Sequence, residues 1–169
     1  IGYLNAERGN LVGELRKKAF MRTLRALGHE PEGRFFYRIH VHGIRDYYKS
    51  GYEFGQRFVQ AAGQRPDALF IYNDLAALGF ERAVLAAGMR IPRDIAIIGV
   101  DNIEQGEYAA VPLTTIGQPT ASIGAEALGV LIKKIEGREV RLRTVFMPNL
   151  VIRQSCGSRT GTPGSAATA

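Results

Sequence analysis

Two short apolar runs, Ala68-Leu69-Phe70-Ile71-Tyr72 and Ile95-Ala96-Ile97-Ile98-Gly99-Val100, constrain this chain more than anything else in it. Runs this short and this continuous suit strands buried on both faces, the pattern of a parallel sheet. Each is followed at once by a polar pair, Asn73-Asp74 and Asp101-Asn102. The rest of the chain keeps the same rhythm. Ile1–Leu4 and Phe35–Val41 read as strands. Leu11–Leu27 has helical spacing, with Leu15, Ala19, Phe20, Leu24 and Leu27 on one side. Ser50 is expected to cap a helix running to about Ala62, and Leu75–Ala87 and Ala121–Ile135 read as two more helices. Gly28, Gly88 and Gly137 stand where helices end. Thr114–Ile116, Val145–Phe146 and Leu150–Arg153 read as extended pieces.

Strand and helix in alternation, punctuated by glycine, predict an α/β fold with a doubly wound parallel sheet flanked by helices. In such sheets ligands bind beyond the carboxyl ends of the strands, at a topological switch point. The residues after each strand therefore carry the functional information. Of the pair Asn73-Asp74, Asp74 is expected to cap the next helix and favour its dipole, leaving Asn73 freer to face a ligand. Asp101-Asn102 follows its strand in the same way.

Several functions are disfavoured by what those loops contain. Asn5-Ala6-Glu7-Arg8-Gly9-Asn10 is not G-x-G-x-x-G, no G-x-x-x-x-G-K-[ST] occurs, and no G-x-S-x-G elbow occurs. Cys156 is a lone cysteine near the tail with no histidine close in sequence, a poor nucleophile and no source of an internal disulfide. His40 and His42 share one face of a strand end but lack a third ligand, so a surface role is preferred to zinc. No metal and no cofactor is expected, and no enzymatic activity. The net charge of +6 is spread along the chain, with one cluster at Arg16, Lys17, Lys18, Arg22 and Arg25 that reads mainly as a solvated helix face rather than a nucleic-acid surface. With 46% hydrophobic and 22% charged residues the chain has a globular balance. No apolar run is long enough to span a membrane. There is no signal-peptide pattern, and the cytoplasm is the expected compartment. The opening strand suggests the later part of a longer chain. Residues 157–169, rich in Gly, Ser, Thr, Pro and Ala, read as a flexible tail.

Five segments, in order, resemble one family. Ser50-Gly51-Tyr52 is similar to its S-G-[YF] helix start, and Tyr72–Gly79 to its N-D-x-x-A-x-G segment. Gly88–Asn102 is similar to G-x-x-[IV]-P-x-D-[IV]-[AS]-[IV]-x-G-[FYV]-D-[DN], Pro112–Pro119 to P-x-L-T-T-[IV]-x-[QH], and Leu150–Ser155 to L-[VI]-x-R-x-S. On these motifs residues 1–156 resemble the later half of the effector-binding domain of LacI/GalR-type bacterial transcription regulators. The resemblance implies one lobe of a periplasmic-binding-protein-like (type I) bilobed fold. It implies that a helix-turn-helix head, a hinge helix and most of an N-terminal lobe precede Ile1. It also implies that the helix in residues 119–137 packs on that lobe.

By the same resemblance, effector contacts map to Arg16, Asn73, Asp101 and Gln118. The family's R-x-x-G-[FW] reads Arg16-Lys17-Lys18-Ala19-Phe20, with alanine for glycine. The aromatic that stacks on the ligand four residues before the S-G-Y helix is Asp46 here, with Tyr47 and Tyr48 adjacent. Arg16 and Asp101 together suit vicinal hydroxyls, because a guanidinium donates in a fork and a carboxylate accepts in one. The expected partners are a small polar effector (a sugar, sugar acid or purine-like molecule), operator DNA through the head, and a second copy in a homodimer. The expected function is a ligand-responsive regulator. The competing readings are a periplasmic sugar-binding protein of a transport system and an enzyme of the doubly wound class.

Overall fold

A computed structural model describes residues 1–6, 11–41, 43, 46–141 and 143–158. Six strands, β1 (Gly2–Ala6), β2 (Phe36–Ile39), β3 (Ala68–Ile71), β4 (Ala96–Asp101), β5 (Thr114–Gly117) and β6 (Asn149–Val151), form one sheet in the order β2-β1-β3-β4-β5-β6. The first five are parallel, and β6 runs antiparallel to β5. Among the described residues four α-helices accompany them: α1 (Leu11–Ala26), α2 (Asp46–Gln60), α3 (Asp74–Ala86) and α4 (Thr120–Ile135). The expected doubly wound sheet is present. Its strand order reverses between β1 and β3, which fixes the switch point there.

One core lies between the sheet and the α2–α3 pair, built on Leu4, Ile39, Leu69, Ile71, Phe54, Phe58 and Phe80. The opposite face carries an aromatic cluster under α1. Tyr3 and Phe70 stack at 5.4 Å between ring centroids, and Phe20 of α1 closes on both. α2 and α3 approach each other at two glycines, where a Cβ on Gly51 would lie 2.1 Å from Ala76 O and one on Gly79 2.0 Å from Tyr48 O. Gly28, Gly88 and Gly137 adopt positive φ, and the next residue bonds back to the last turn of each helix, as in Met89 N–H to Val84 O at 3.0 Å.

Four local expectations are corrected. Ser50 does not cap α2, which begins at Asp46. It sits in the second turn, and its hydroxyl donates to His40 O at 2.6 Å, tying the helix to the end of β2. α1 does not turn Leu15 and Leu27 inward. Both are exposed, and the sheet side of the helix is Gly13, Arg16, Phe20 and Leu24, a stripe three to four residues apart that includes a cation. Val145–Phe146 forms no strand. Asn73 rather than Asp74 is the N-cap of α3, as described below. His42, the loop of residues 7–10 and most of the proposed tail (159–169) lie outside the described residues.

Candidate functional site

Strand ends and the first turns of two helices bring five side chains to one edge of the sheet. Arg16 on α1 crosses the switch point, and its guanidinium donates to Tyr72 O, just past β3, at 2.8 Å. The same guanidinium lies 5.1 Å from the centroid of the Tyr72 ring. This is a cation–π contact in addition to a hydrogen bond, and it holds a long side chain in one pose. Tyr47, in the first turn of α2, stacks on Tyr72 with 5.9 Å between centroids and 25° between planes. Asp101, the last residue of β4, accepts from Gln118 Nε2, just past β5, at 2.7 Å.

Electrostatics binds these residues into one group. Burial raises the Asp101 carboxyl above the usual carboxylate range, while the Gln118 hydrogen bond and the Arg16 charge oppose that rise. Burial also raises the Tyr47 phenol. Tyr72, through charge and a hydrogen bond, and Asp101 push it further the same way, against Arg16. A forked cation, a carboxylate, a carboxamide and two phenols thus face one another across the switch point. Beside them lies a cavity of about 300 Å³ lined in part by Arg16, Gln118, Val100, Ile116 and Ile123. These groups donate and accept hydrogen bonds in matched directions, which is a binding chemistry. Among the described residues, no group of three or more His, Cys, Asp or Glu is placed to hold a metal ion.

Asn73 takes the cap expected of Asp74, and Asp74 is buried in the protein interior. Asn73 Oδ1 accepts from Ala76 N–H at 2.9 Å and caps α3. Its acceptor is thereby committed to the helix, and its amide NH₂ is the group that could meet a ligand. Asp74 is fully buried. Its carboxylate accepts from Thr115 Oγ1 at 2.7 Å and from Ile103 N–H at 3.0 Å, joining α3 to β5 and to the loop after β4. Asp46 is the first residue of α2, with its N–H donating to Gly43 O at 3.0 Å. Tyr47, one residue on, is the side chain that reaches Tyr72. The structure therefore brings Arg16, Tyr47, Asp101 and Gln118 together and places Asn73 at the foot of α3 beside them. Tyr72 is a wall of the site that sequence reasoning left out, although it directly precedes the Asn73-Asp74 pair.

A larger groove of about 500 Å³ lies elsewhere, between α2, α3 and the loop after β4. It is lined by Tyr48, Tyr52, Glu81, Arg82 and Gln105, among others. Arg16, Tyr47, Asn73, Asp101 and Gln118 do not line it.

The profile of the periplasmic binding protein-like domain family matches residues 1–156. The HTH-type transcriptional repressor PurR of Mannheimia succiniciproducens is 34% identical over 156 residues, which is 92% of this chain and 45% of the repressor. Among solved structures, a LacI family transcriptional regulator from Lactobacillus casei with bound glucose is 31% identical. It matches with a TM-score of 0.73 over 91% of this chain and 55% of its own. The complex of transcriptional regulator CelR with cellobiose is 27% identical, with a TM-score of 0.77 over 91% of this chain and 46% of its own. The chain spans about half the length of the relatives it matches. On the sheet order and these matches, the chain belongs to the periplasmic binding protein-like domain family, as an effector-binding domain of the LacI/GalR type.

Proposed function

We propose that this chain is the effector-sensing lobe of a ligand-responsive transcription repressor that works in the cytoplasm and catalyses no reaction. The observation that carries the reading is the cluster of Arg16, Tyr72, Tyr47, Asp101 and Gln118 at the carboxyl edge of the sheet. The repressors among its relatives favour this reading over a transport protein of the same fold. The effector is a small polyhydroxylated or otherwise polar molecule, a sugar, a sugar acid or a purine-like ring. Arg16 and Asp101 anchor it, Gln118 and the Asn73 amide add hydrogen bonds, and Asp46 and Tyr47 flank it.

The regulatory logic is closure of two lobes. A ligand that touches both favours one relative orientation, and that orientation sets the spacing of two DNA-binding heads in a homodimer. α4 supplies the second half of this proposal. Ile123, Leu128, Leu131, Ile132 and Ile135 are all exposed, and no residue of α4 is buried. We assign the apolar side of α4 to the partner lobe, with β6 as the return.

Calorimetric titration of the intact protein with glucose, sucrose, cellobiose, gluconate and hypoxanthine tests the reading. One of these classes is expected to bind. A hydrogen bond to a charged group is worth roughly 1.5–3 kcal/mol. Arg16→Ala, which removes two, is expected to weaken binding by about a hundredfold or more, and Asp101→Ala to do likewise, with little change in melting temperature. Wild-type affinity in both variants would place the contacts elsewhere.

A further inference from the structure

Asp101 has φ 122° and Asn102 φ 56°, and among the described residues they are the two non-glycine residues with positive φ. The Asp101 value lies in a region nearly confined to glycine. Such a backbone persists only where its surroundings over-determine it, and the surroundings here can be named. Asn102 N–H donates to Thr115 Oγ1 at 3.2 Å, and Thr115 Oγ1 donates to the buried Asp74. Asn102 Oδ1 accepts from the Arg153 guanidinium at 2.9 Å. The other arm of that guanidinium donates to Leu113 O at 2.8 Å. The Arg153 side chain is only 14% exposed, so the fork is held in place. Glu107, in the loop between β4 and β5, lies 3.8 Å from the guanidinium arm that grips Asn102.

The segment that carries Arg153 does not need this fork to stay on the sheet. Ser155 Oγ donates to Ile97 O and accepts from Thr114 N–H, both at 2.8 Å, and Arg153 N–H donates to Thr114 Oγ1 at 2.9 Å. The guanidinium is therefore a second function laid over an anchored strand end. An arginine suits it because two acceptors, Leu113 O and Asn102 Oδ1, must be met at once from one plane, which an ammonium does poorly.

We propose that Arg153 is a positioning residue for the effector site. By gripping Asn102 it clamps the Asp101-Asn102 backbone in its left-handed form and so directs the Asp101 carboxylate toward Gln118. This rests on the reading above only in calling Asp101 an effector contact. Arg16, Tyr47, Gln118 and the buried Asp74 carboxylate are the charged, titratable and hydrogen-bonding groups that interact with that carboxylate.

The test uses the full chain without ligand. Backbone three-bond couplings of Asp101 and Asn102 report φ directly, and the ¹³C shift of the Asp101 carboxyl is followed against pH. Arg153→Met keeps the stem and removes the fork, and Arg153→Lys keeps the charge alone. In both, the Asp101 coupling is expected to rise from a small left-handed value to a large extended one, and the carboxyl to titrate nearer the ordinary range. Asn102→Ala should produce the same change, and adding Arg153→Met to it should add little, because both remove one link. Unchanged couplings and titration in Arg153→Met, or changes that add in the double variant, would overturn the proposal. None of these readouts needs an effector, so they can fail while effector binding at Asp101 stands, and they can succeed if it does not.

Discussion

α3 and α4 are both apolar helices rich in Ala, Leu and Gly, yet one is almost sealed and the other is not buried at any position. In α3, Asp74, Ala76, Ala77, Gly79, Phe80, Glu81, Ala83 and Val84 are all buried, two carboxylates among them. In α4 no residue is buried, and Ile135 is 78% exposed. The difference comes from what stands opposite. α3 packs on the sheet beside α2, and the glycines at 51 and 79 let the two helix backbones come close enough to exclude water. Among the described residues, nothing packed against α4 after β5 buries any of its side chains. An apolar stripe thus records a demand for burial without naming the surface that meets it.

The largest test of this contrast is truncation. Phe80→Ala, at a site with no exposed surface, is expected to cost about 3–5 kcal/mol in urea unfolding. Leu131→Ala in α4, where the side chain is half-exposed, should stay within about 0.5 kcal/mol. Comparable losses at the two sites would mean that α4 is packed in solution.

Glycine replacement sharpens the contrast because its sign reverses. Gly51→Ala and Gly79→Ala force a methyl onto backbone atoms at 2.1 and 2.0 Å and should destabilise by roughly 1–3 kcal/mol or more. Gly124→Ala and Gly129→Ala meet nothing within 4 Å and should stabilise the chain by up to about 1 kcal/mol through helix propensity. Thermal melts of the four variants decide it. A loss of stability at Gly124 or Gly129 would place a neighbour on α4.

Glu81 offers a smaller, pH-dependent effect on the sealed side. Its carboxylate accepts from Val111 N–H at 3.0 Å, its Oε2 is buried with no hydrogen-bond partner within reach among the described residues, and burial raises its pKa against the backbone donors of Val111 and Ala110. A raised folded-state pKa means that the folded chain binds the proton more tightly than the unfolded one. Stability contributed by this group is therefore lost as pH rises from the ordinary glutamate range through the raised value. Glu81→Gln should remove that fall, so the melting temperature of the variant relative to wild type should be higher at pH 7 than at pH 4. A difference independent of pH would show that Glu81 does not titrate in that interval.

The smallest effect on stability, and the most direct reading of α4, comes from paired polar substitutions. Ile123→Gln with Leu131→Gln should leave the melt within about 0.5 kcal/mol. The same pair should reduce concentration-dependent association, because an exposed apolar stripe invites it. Sedimentation velocity at rising concentration follows this. Unchanged association would assign self-contact to another face.

Much of the site was legible in order along the chain. Two apolar runs ending in Tyr72 and Val100 pointed to the sheet edge where Asn73 and Asp101 stand, and the motif around Thr114–Gln118 pointed to Gln118. What could not be read was which member of each pair does what. Asn73 and Asp74 can both cap a helix. The choice was made by Thr115 and Ile103, 41 and 29 residues from Asp74, whose donors reach its carboxylate and leave the cap to Asn73. Spacing alone put Arg16 among five cations on a solvated face, and only the family resemblance marked it as an effector contact. Its stripe on α1 is in fact the one that meets the sheet, with Tyr72 waiting 56 residues away.

The sequence by itself determined the alternation of strand and helix, the glycines that end α1, α3 and the α4 turn, and the strand ends at which polar residues would gather. These follow from local periodicity and backbone freedom, which are properties of neighbours along the chain. Only the tertiary structure decided which apolar stripes are covered, which carboxylates are buried, and that Asp101 adopts a φ nearly confined to glycine. Those outcomes depend on which second surface arrives. A hydrogen bond from Arg153 to Asn102 spans 51 residues, and no local pattern encodes it.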